Sequence, residues 1–206
     1  MTISPELQKV ILDKALGEDV DADPLLLELL DIYMNDKNSS TIRELITVLI
    51  AGYQPIPGKL GRDALDTITQ KEKECKPKNF NGKTPQRGAA CFNDYTRKRF
   101  NQDLEDDLDI VGSLFVDGQC AFVIEYNMDS VKDKLDKQIH EKCEVKSNSY
   151  VRSASWAYDS YVDHESLKIH YINQDLIMNN PKCMVKDFRN AILAHAVLDE
   201  LTDKQP

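Results

Sequence analysis

The stretch 61–80, GRDALDTITQKEKECKPKNF, carries Asp66 and, eight residues on, Glu74-Cys75-Lys76. In a strand successive side chains alternate faces, so Glu74 and Lys76 would point together and Cys75 would turn into the core behind them. A fold-back around Gln70, with a three-residue loop at 69–71, sets Asp66 opposite Glu74 with the side chains about 5 Å apart. Carboxylates that close repel unless a cation lies between them, and hard oxygen donors suit Mg²⁺. A lysine beside them can orient and help activate a water next to a phosphate.

The triplet alone carries no weight. With 35 acidic residues in the chain, roughly three acid-x-Lys triplets arise by chance, and a motif needs its structural context. The only other one, Glu144-Val145-Lys146, follows a helix-like segment, and no Asp opens a neighbouring strand. Asp109 and Glu125 span Asp117-Gly118, the strongest short hairpin signal a sequence offers. Two-residue hairpin pairing sets Asp109 opposite Tyr126, so the two acids face opposite sides of the sheet, and Asn127 stands where a lysine is wanted. That pair is a reserve. The alternative for 61–80 is a charged helix, in which Leu65, Ile68 and Glu72 keep a rough helical spacing. Against it stand the β-branched run Thr67-Ile68-Thr69 and the lack of an apolar stripe after Ile68. We expect a hairpin.

The elements that must position these residues follow from periodicity and punctuation. Residues 1–60 read as a helical segment, and residues 61–206 as an α/β core forming one compact domain with it. Ser4-Pro5 and Asp23-Pro24 are helix starts, and Thr41-Ile42-Arg43-Glu44 is a capping box. YQPIPGKL stops the third helix. NFNGKTPQRGAA is a long polar loop of the functional or disordered kind, and residues 94–106 suit a helix. LDIVGSLFV and QCAFVIEYN are apolar on both faces, as in strands at the centre of a covered sheet. Residues 130–142 read as a helix capped by Ser130, YVRSASWAY and SLKIHYIN as strands, and the tail as an amphipathic helix. The expected fold is α/β: a central mixed sheet flanked by helices, with an N-terminal helical segment.

Composition narrows the function classes. No apolar run reaches membrane-spanning length, and the start lacks a signal-peptide pattern, so a cytoplasmic protein is expected. Five cysteines without a CxxC pair signal neither a disulfide framework nor a structural zinc site. The net charge of −9 seems to oppose nucleic acid, but its distribution matters more. Residues 71–100 are a basic island in an otherwise acidic chain, able to contact phosphates while the remainder keeps the molecule soluble. The duller reading is a solvated loop. Trp156, Tyr158 and Tyr161 read as core aromatics, and His164 and His170 as surface residues.

Gly58-Lys59-Leu60-Gly61-Arg62-Asp63-Ala64-Leu65-Asp66 followed by Glu74-Cys75-Lys76-Pro77-Lys78-Asn79 is similar to the way type II restriction endonucleases write the PD-(D/E)xK motif. The surrounding order also resembles that superfamily's core: a helix, strands bearing Asp and then Glu-x-Lys, a helix, a further strand. Leu65 stands where the superfamily has its leading Pro, and Asp63 competes with Asp66 for the metal role. The resemblance covers residues 41–127. It implies a Mg²⁺-dependent endonuclease in which Asp66 and Glu74 bind the metal with the Cys75 carbonyl as a third ligand. Lys76 positions or activates the attacking water. Glu44 is an outer-shell acid or a surface salt-bridge partner. Lys78, Lys83, Arg87, Arg97, Lys98 and Arg99 would contact phosphates or bases, with Asn79, Asn81 and Gln86 as base readers. The implied partners are double-stranded DNA and a second copy of the chain, since cutting both strands of a palindrome favours two-fold symmetry. The competing class is a non-catalytic nucleic-acid- or protein-binding α/β module.

Overall fold

The structure is a computed structural model that describes residues 3–36, 40–56 and 61–202. Residues 58–60 of the motif string lie outside the described residues. The fold is α/β: among the described residues seven helices flank a six-stranded mixed sheet, and a separate two-stranded sheet covers part of one face.

Helices α1 (Pro5–Leu16), α2 (Pro24–Asn35) and α3 (Thr41–Ile50) come first. The Ser4 hydroxyl accepts the Leu7 N–H and Gly17 ends α1 in the left-handed region. Asp23 accepts from Leu25 and Leu26 to start α2. For α3 the capping residue is Ser40, one position before the expected Thr41, and its hydroxyl bonds Glu44 at 2.6 Å. The two-residue strands β1 (Gln54–Pro55) and β2 (Ala64–Leu65) lead into β3 (Glu72–Phe80). Then come β4 (Ala90–Tyr95), α4 (Arg97–Glu105), β5 (Asp109–Val116) and β6 (Gln119–Asn127). The chain closes with α5 (Lys132–Ile139), β7 (Val151–Trp156), β8 (Lys168–Ile172), α6 (Gln174–Asn179) and α7 (Lys186–Thr202).

The large sheet runs β1-β2-β3-β5-β6-β8, and only β3 and β5 pair in parallel. α1 and α3 pack on one face around Ile46, Val48, Val111, Phe115 and Val123. A larger core on the other face joins Ile110, Leu114, Ile124 and Tyr126 to the β4–β7 sheet and to α7. Trp156 donates its indole N–H to the Tyr126 hydroxyl at 2.8 Å, and Tyr161 stacks on Tyr126. Trp156 and Tyr161 are thus core residues, as their sequence setting suggests.

Four differences from the sequence reading have local causes. The helix expected from residue 94 begins at Arg97, because residues 90–95 pair with β7 and Thr96 caps the helix. Residues 130–142 start a turn earlier, with Asn127 rather than Ser130 as the cap, and end in a π-turn. The loop after β3 is pinned to residues 183–185 by a Gln86 bridge and to Tyr158 through the Arg87 carbonyl. A β-bulge between Leu114 and Phe115 shifts the β5–β6 pairing by one residue, so Asp109 faces Asn127 and not Tyr126. On α2, Leu25, Leu29, Ile32 and Tyr33 form an exposed apolar stripe at helical spacing.

Gly88 locks the loop onto the core. Its φ is +56°, and an added Cβ would lie 2.2 Å from the Tyr161 hydroxyl and 2.7 Å from the Phe188 ring. We expect Gly88→Ala to destabilise the fold by about 3 kcal/mol through overpacking and backbone strain, read by urea denaturation. An unchanged midpoint would contradict this packing.

Candidate active site at the open edge of strand β3

The hairpin forms, with a different register from the expected one. β2 pairs with β3 through Ala64↔Lys73 and Leu65↔Glu72, and the turn spans residues 66–71. Asp66 therefore belongs to the turn, where its carboxylate accepts from the N–H groups of Ile68 and Thr69 and from the Thr69 hydroxyl. These bonds hold Asp66 below the usual carboxylate range, the Thr69 hydroxyl contributing most. An Asp that satisfies three local donors outcompetes the strand preference of Thr67-Ile68-Thr69, and Ile68 is left almost fully exposed. Asp66 does not reach Glu74.

Asp63 does. Its Oδ2 accepts the Cys75 N–H at 2.7 Å, which sets its carboxylate against the Glu74-Cys75 peptide. Past Lys73 the outer edge of β3 has no strand partner among the described residues. In a parallel pairing the N–H and C=O of one residue project to the same side, so the Cys75 carbonyl also faces this open edge. Pro77 lies two residues on and directs its donor-less nitrogen to the same side, where a proline costs no ladder bond.

Glu74 and Lys76 share the opposite face from Cys75 and pair with each other; Cys75 is buried at 2% exposure. Burial raises the Cys75 thiol well above its ordinary value, so the side chain stays protonated and only its carbonyl is a donor. Glu74 Oε2 is buried with no hydrogen-bond partner, a state that costs about 1–3 kcal/mol. Burial, followed by the Glu74 charge and that of Glu44, raises Asp63 to about 6 against the opposing effects of the Cys75 N–H and Lys76. Two carboxylates and one backbone carbonyl thus neighbour one another at this edge, where Glu74 Oε2 has Arg62 and Arg99 in ion-pair range but no hydrogen bond, and oxygen donors of this kind suit a hard divalent cation. Among the described residues no group of three or more His, Cys, Asp or Glu side chains gathers to hold a metal.

An open cleft of about 480 Å³ runs along this edge between α3 and β4, lined by Glu44, Lys76, Lys78, Asn79, Asn81 and Asn93 among others. The DNA-contact residues read from the sequence divide here. Lys78, Asn79 and Asn81 line the cleft, and the buried Asn79 Oδ1 has no hydrogen-bond partner. Lys83, Arg87 and Lys98 are exposed. Gln86 is taken up by its bridge to the 183–185 segment. Arg97 is tied to Asp136 and Glu144 and covers the Phe100 ring. Arg99 lies within 4.0 Å of Glu74 and 3.6 Å of Asp103. Much of the basic island is therefore spent on ion pairs within the fold.

The reserve pair also changes. With the bulge, Asp109 and Glu125 share one face, and both bind Lys73, at 2.6 and 2.8 Å. His170 (2.6 Å) and the Tyr53 hydroxyl (2.5 Å) bond the other Glu125 oxygen. His170 is thus a half-buried partner of Glu125 and not a surface residue. Burial alone would raise Glu125, but the bonds from His170, Lys73 and Tyr53 outweigh it and hold the group at about 2. This cluster is saturated, and its chemistry is that of a structural tie.

Sequence reasoning missed Arg62, Asp103, Tyr95 and Asn93. Arg62 adjoins the motif, but nothing in its spacing says that it turns back onto Glu74. Asp103 sits in a run of charged helix residues that gives no sign of its burial at 1% exposure. No family model matches this chain, and no curated protein matches it either. No helix among the described residues is long and apolar enough to cross a membrane.

The Asp63 shift has a sign that can be checked. Its folded pKa lies above that of the unfolded chain, so the native state loses stability as pH rises from about 4 through about 6. Asp63→Asn keeps an acceptor for the Cys75 N–H and removes the charge that Glu74 and Glu44 oppose. We expect its melting temperature to exceed that of the wild type at about pH 7.5, the gap closing below about pH 5 in scanning calorimetry. A less stable variant at about pH 7.5 would contradict the assignment.

Proposed function

We propose that the protein is a Mg²⁺-dependent endonuclease that hydrolyses phosphodiester bonds in double-stranded DNA, with a PD-(D/E)xK-type site in which Asp63 takes the place expected for Asp66. The observation that carries this reading is the convergence of Asp63, Glu74, the Cys75 carbonyl and Lys76 on one open strand edge beside a polar cleft. The chain order around it also supports the reading: α3, β1, Asp63 immediately before β2, Glu74 and Lys76 on β3, then β4, α4 and β5.

Asp63, Glu74 and the Cys75 carbonyl are the groups that would hold Mg²⁺. When bound, the ion supplies charge neutralisation at the phosphate and a more acidic water. The protein's own groups do the remainder. Lys76, paired with Glu74 and resting over the Phe92 ring, has its ammonium fixed where it can orient a water. Lys78 supplies positive charge along the cleft, and Asn79, Asn81 and Asn93 offer amides to base edges. Glu44, half-buried and bonded to Ser40, faces Asp63 as an outer acid. A restriction-type homodimer would set two such sites for opposite strands.

The second reading, a non-catalytic nucleic-acid- or protein-binding module, draws on a different observation. Glu74 is ringed by Lys76, Arg62 and Arg99, and three cations around one carboxylate also describe a structural charge network. Plasmid cleavage separates the two. With Mg²⁺ present, the wild type and Asp66→Ala should nick or linearise supercoiled DNA. Asp63→Ala and Lys76→Ala should each lose about 100-fold or more of that rate. Full activity in both of the latter would remove the assigned site, and an inactive wild type would favour the binding module.

A further inference from the structure

Arg62 approaches the carboxylate site from a fixed position. Its Nη2 donates to Asp103 Oδ1 at 2.6 Å. Asp103, on α4, is 1% exposed, and its other oxygen accepts from the Tyr95 hydroxyl at 2.6 Å. Arg99 closes the set, with Nε 3.6 Å from Asp103 Oδ1. Tethered in this way, the Arg62 guanidinium presents Nη1 to the site. Nη1 is buried without a full hydrogen bond and stands 3.6 Å from Glu74 Oε2, which is likewise buried without a hydrogen bond and has Arg99 Nη2 at 4.0 Å.

The gap is informative. At 3.6 Å the two groups form an ion pair just beyond ordinary hydrogen-bond length. The Asp103 bond fixes the guanidinium through Nη2, so Nη1 and Glu74 Oε2 face each other without a full hydrogen bond. A ligand that satisfies both must bring an anionic oxygen to Nη1 and positive charge to Oε2. A phosphodiester oxygen accompanied by a divalent cation meets both demands.

We propose that Arg62 is a catalytic residue whose Nη1–H donates to a non-bridging oxygen of the scissile phosphate, with Asp103 and Tyr95 as its positioning residues. The proposal rests on the nuclease reading and adds a contact which that reading does not require. In hydrolysis the water oxygen bonds phosphorus and the bond from phosphorus to the departing sugar oxygen breaks. One water proton ends on that sugar oxygen and the other is lost to solvent. Arg62 exchanges no proton. It stays charged throughout and offsets the negative charge that gathers on the phosphate oxygens in the transition state. The guanidinium fork is what allows one nitrogen to be anchored while the other serves the ligand.

The test measures two quantities on the full-length chain: Mn²⁺ affinity without DNA, by isothermal titration calorimetry, and Mg²⁺-dependent plasmid cleavage. Arg62→Gln removes a cation that competes for Glu74. We expect its Mn²⁺ affinity to be unchanged or up to about 10-fold tighter, while cleavage falls about 100-fold. Arg62→Lys retains a charge for Asp103 but not the fork, and decides the matter if the Gln variant does not fold. It should bind Mn²⁺ within about 3-fold of the wild type and cleave about 10-fold or more slowly. A folded variant that cleaves at the wild-type rate, or that loses Mn²⁺ affinity and cleavage in parallel, overturns the role of Arg62 and leaves the nuclease reading standing. A wild type that neither binds Mn²⁺ nor cleaves DNA overturns the nuclease reading, and the Arg62 assignment falls with it.

Discussion

Two residue pairs, Ala64↔Lys73 and Leu65↔Glu72, set the geometry on which the remainder of the site depends. Because β2 stops there, β3 continues for seven residues with one side paired to β5 and the other without a strand partner among the described residues. The Cys75 N–H on that open side needs an acceptor, since an unmet backbone donor is costly where water is scarce. Asp63 provides it at 2.7 Å. That one bond brings a carboxylate to Glu74 and leaves the Cys75 carbonyl facing the same space, while burial and the Glu74 and Glu44 charges raise the Asp63 pKa against the opposing effect of the bond. A longer β2 would have paired the edge and left no room for a site.

The two faces of β3 are built on opposite principles. Lys73 points to the α1–α3 side, where Asp109, Glu125, His170 and Tyr53 satisfy one another almost completely. Glu74 and Lys76 point the other way, beside Arg62 and Asp63, where Glu74 Oε2 and Arg62 Nη1 are left without hydrogen bonds. Saturated polar clusters rigidify a fold, whereas unmet buried groups cost stability and persist where a ligand completes them. The first cluster ties the strands together, and the second is the one proposed above to bind a cation. Residues adjacent in sequence thus serve different ends because strand alternation separates them.

Much of the fold was legible because its signals are local. Ser4, Asp23 and the two prolines after them start the first two helices, and Asp117-Gly118 turns between β5 and β6 as its dipeptide suggests. The joint orientation of Glu74 and Lys76, with Cys75 behind, followed from alternation alone. What was not legible depends on register. Asp66 was placed opposite Glu74 by counting a three-residue loop, but its own side chain nucleates a longer turn and moves the pairing. The Leu114–Phe115 bulge reversed the expected facing of Asp109 and Glu125 in the same manner. A shift of one residue exchanges the faces of a strand, and no composition or spacing rule announces it. Arg62 was missed because its partner Asp103 lies 41 residues away, and long-range pairing leaves no trace in a single sequence.

The central claim is that Asp63, Glu74 and the Cys75 carbonyl form one divalent-cation site at the open edge of β3. Anomalous scattering from crystals of the protein grown with Mn²⁺ tests it most directly. The account predicts one strong anomalous peak within coordination distance of an Asp63 oxygen, a Glu74 oxygen and the Cys75 carbonyl oxygen. A peak at Asp66 or between Asp109 and Glu125, or no peak at the β3 edge, would contradict it.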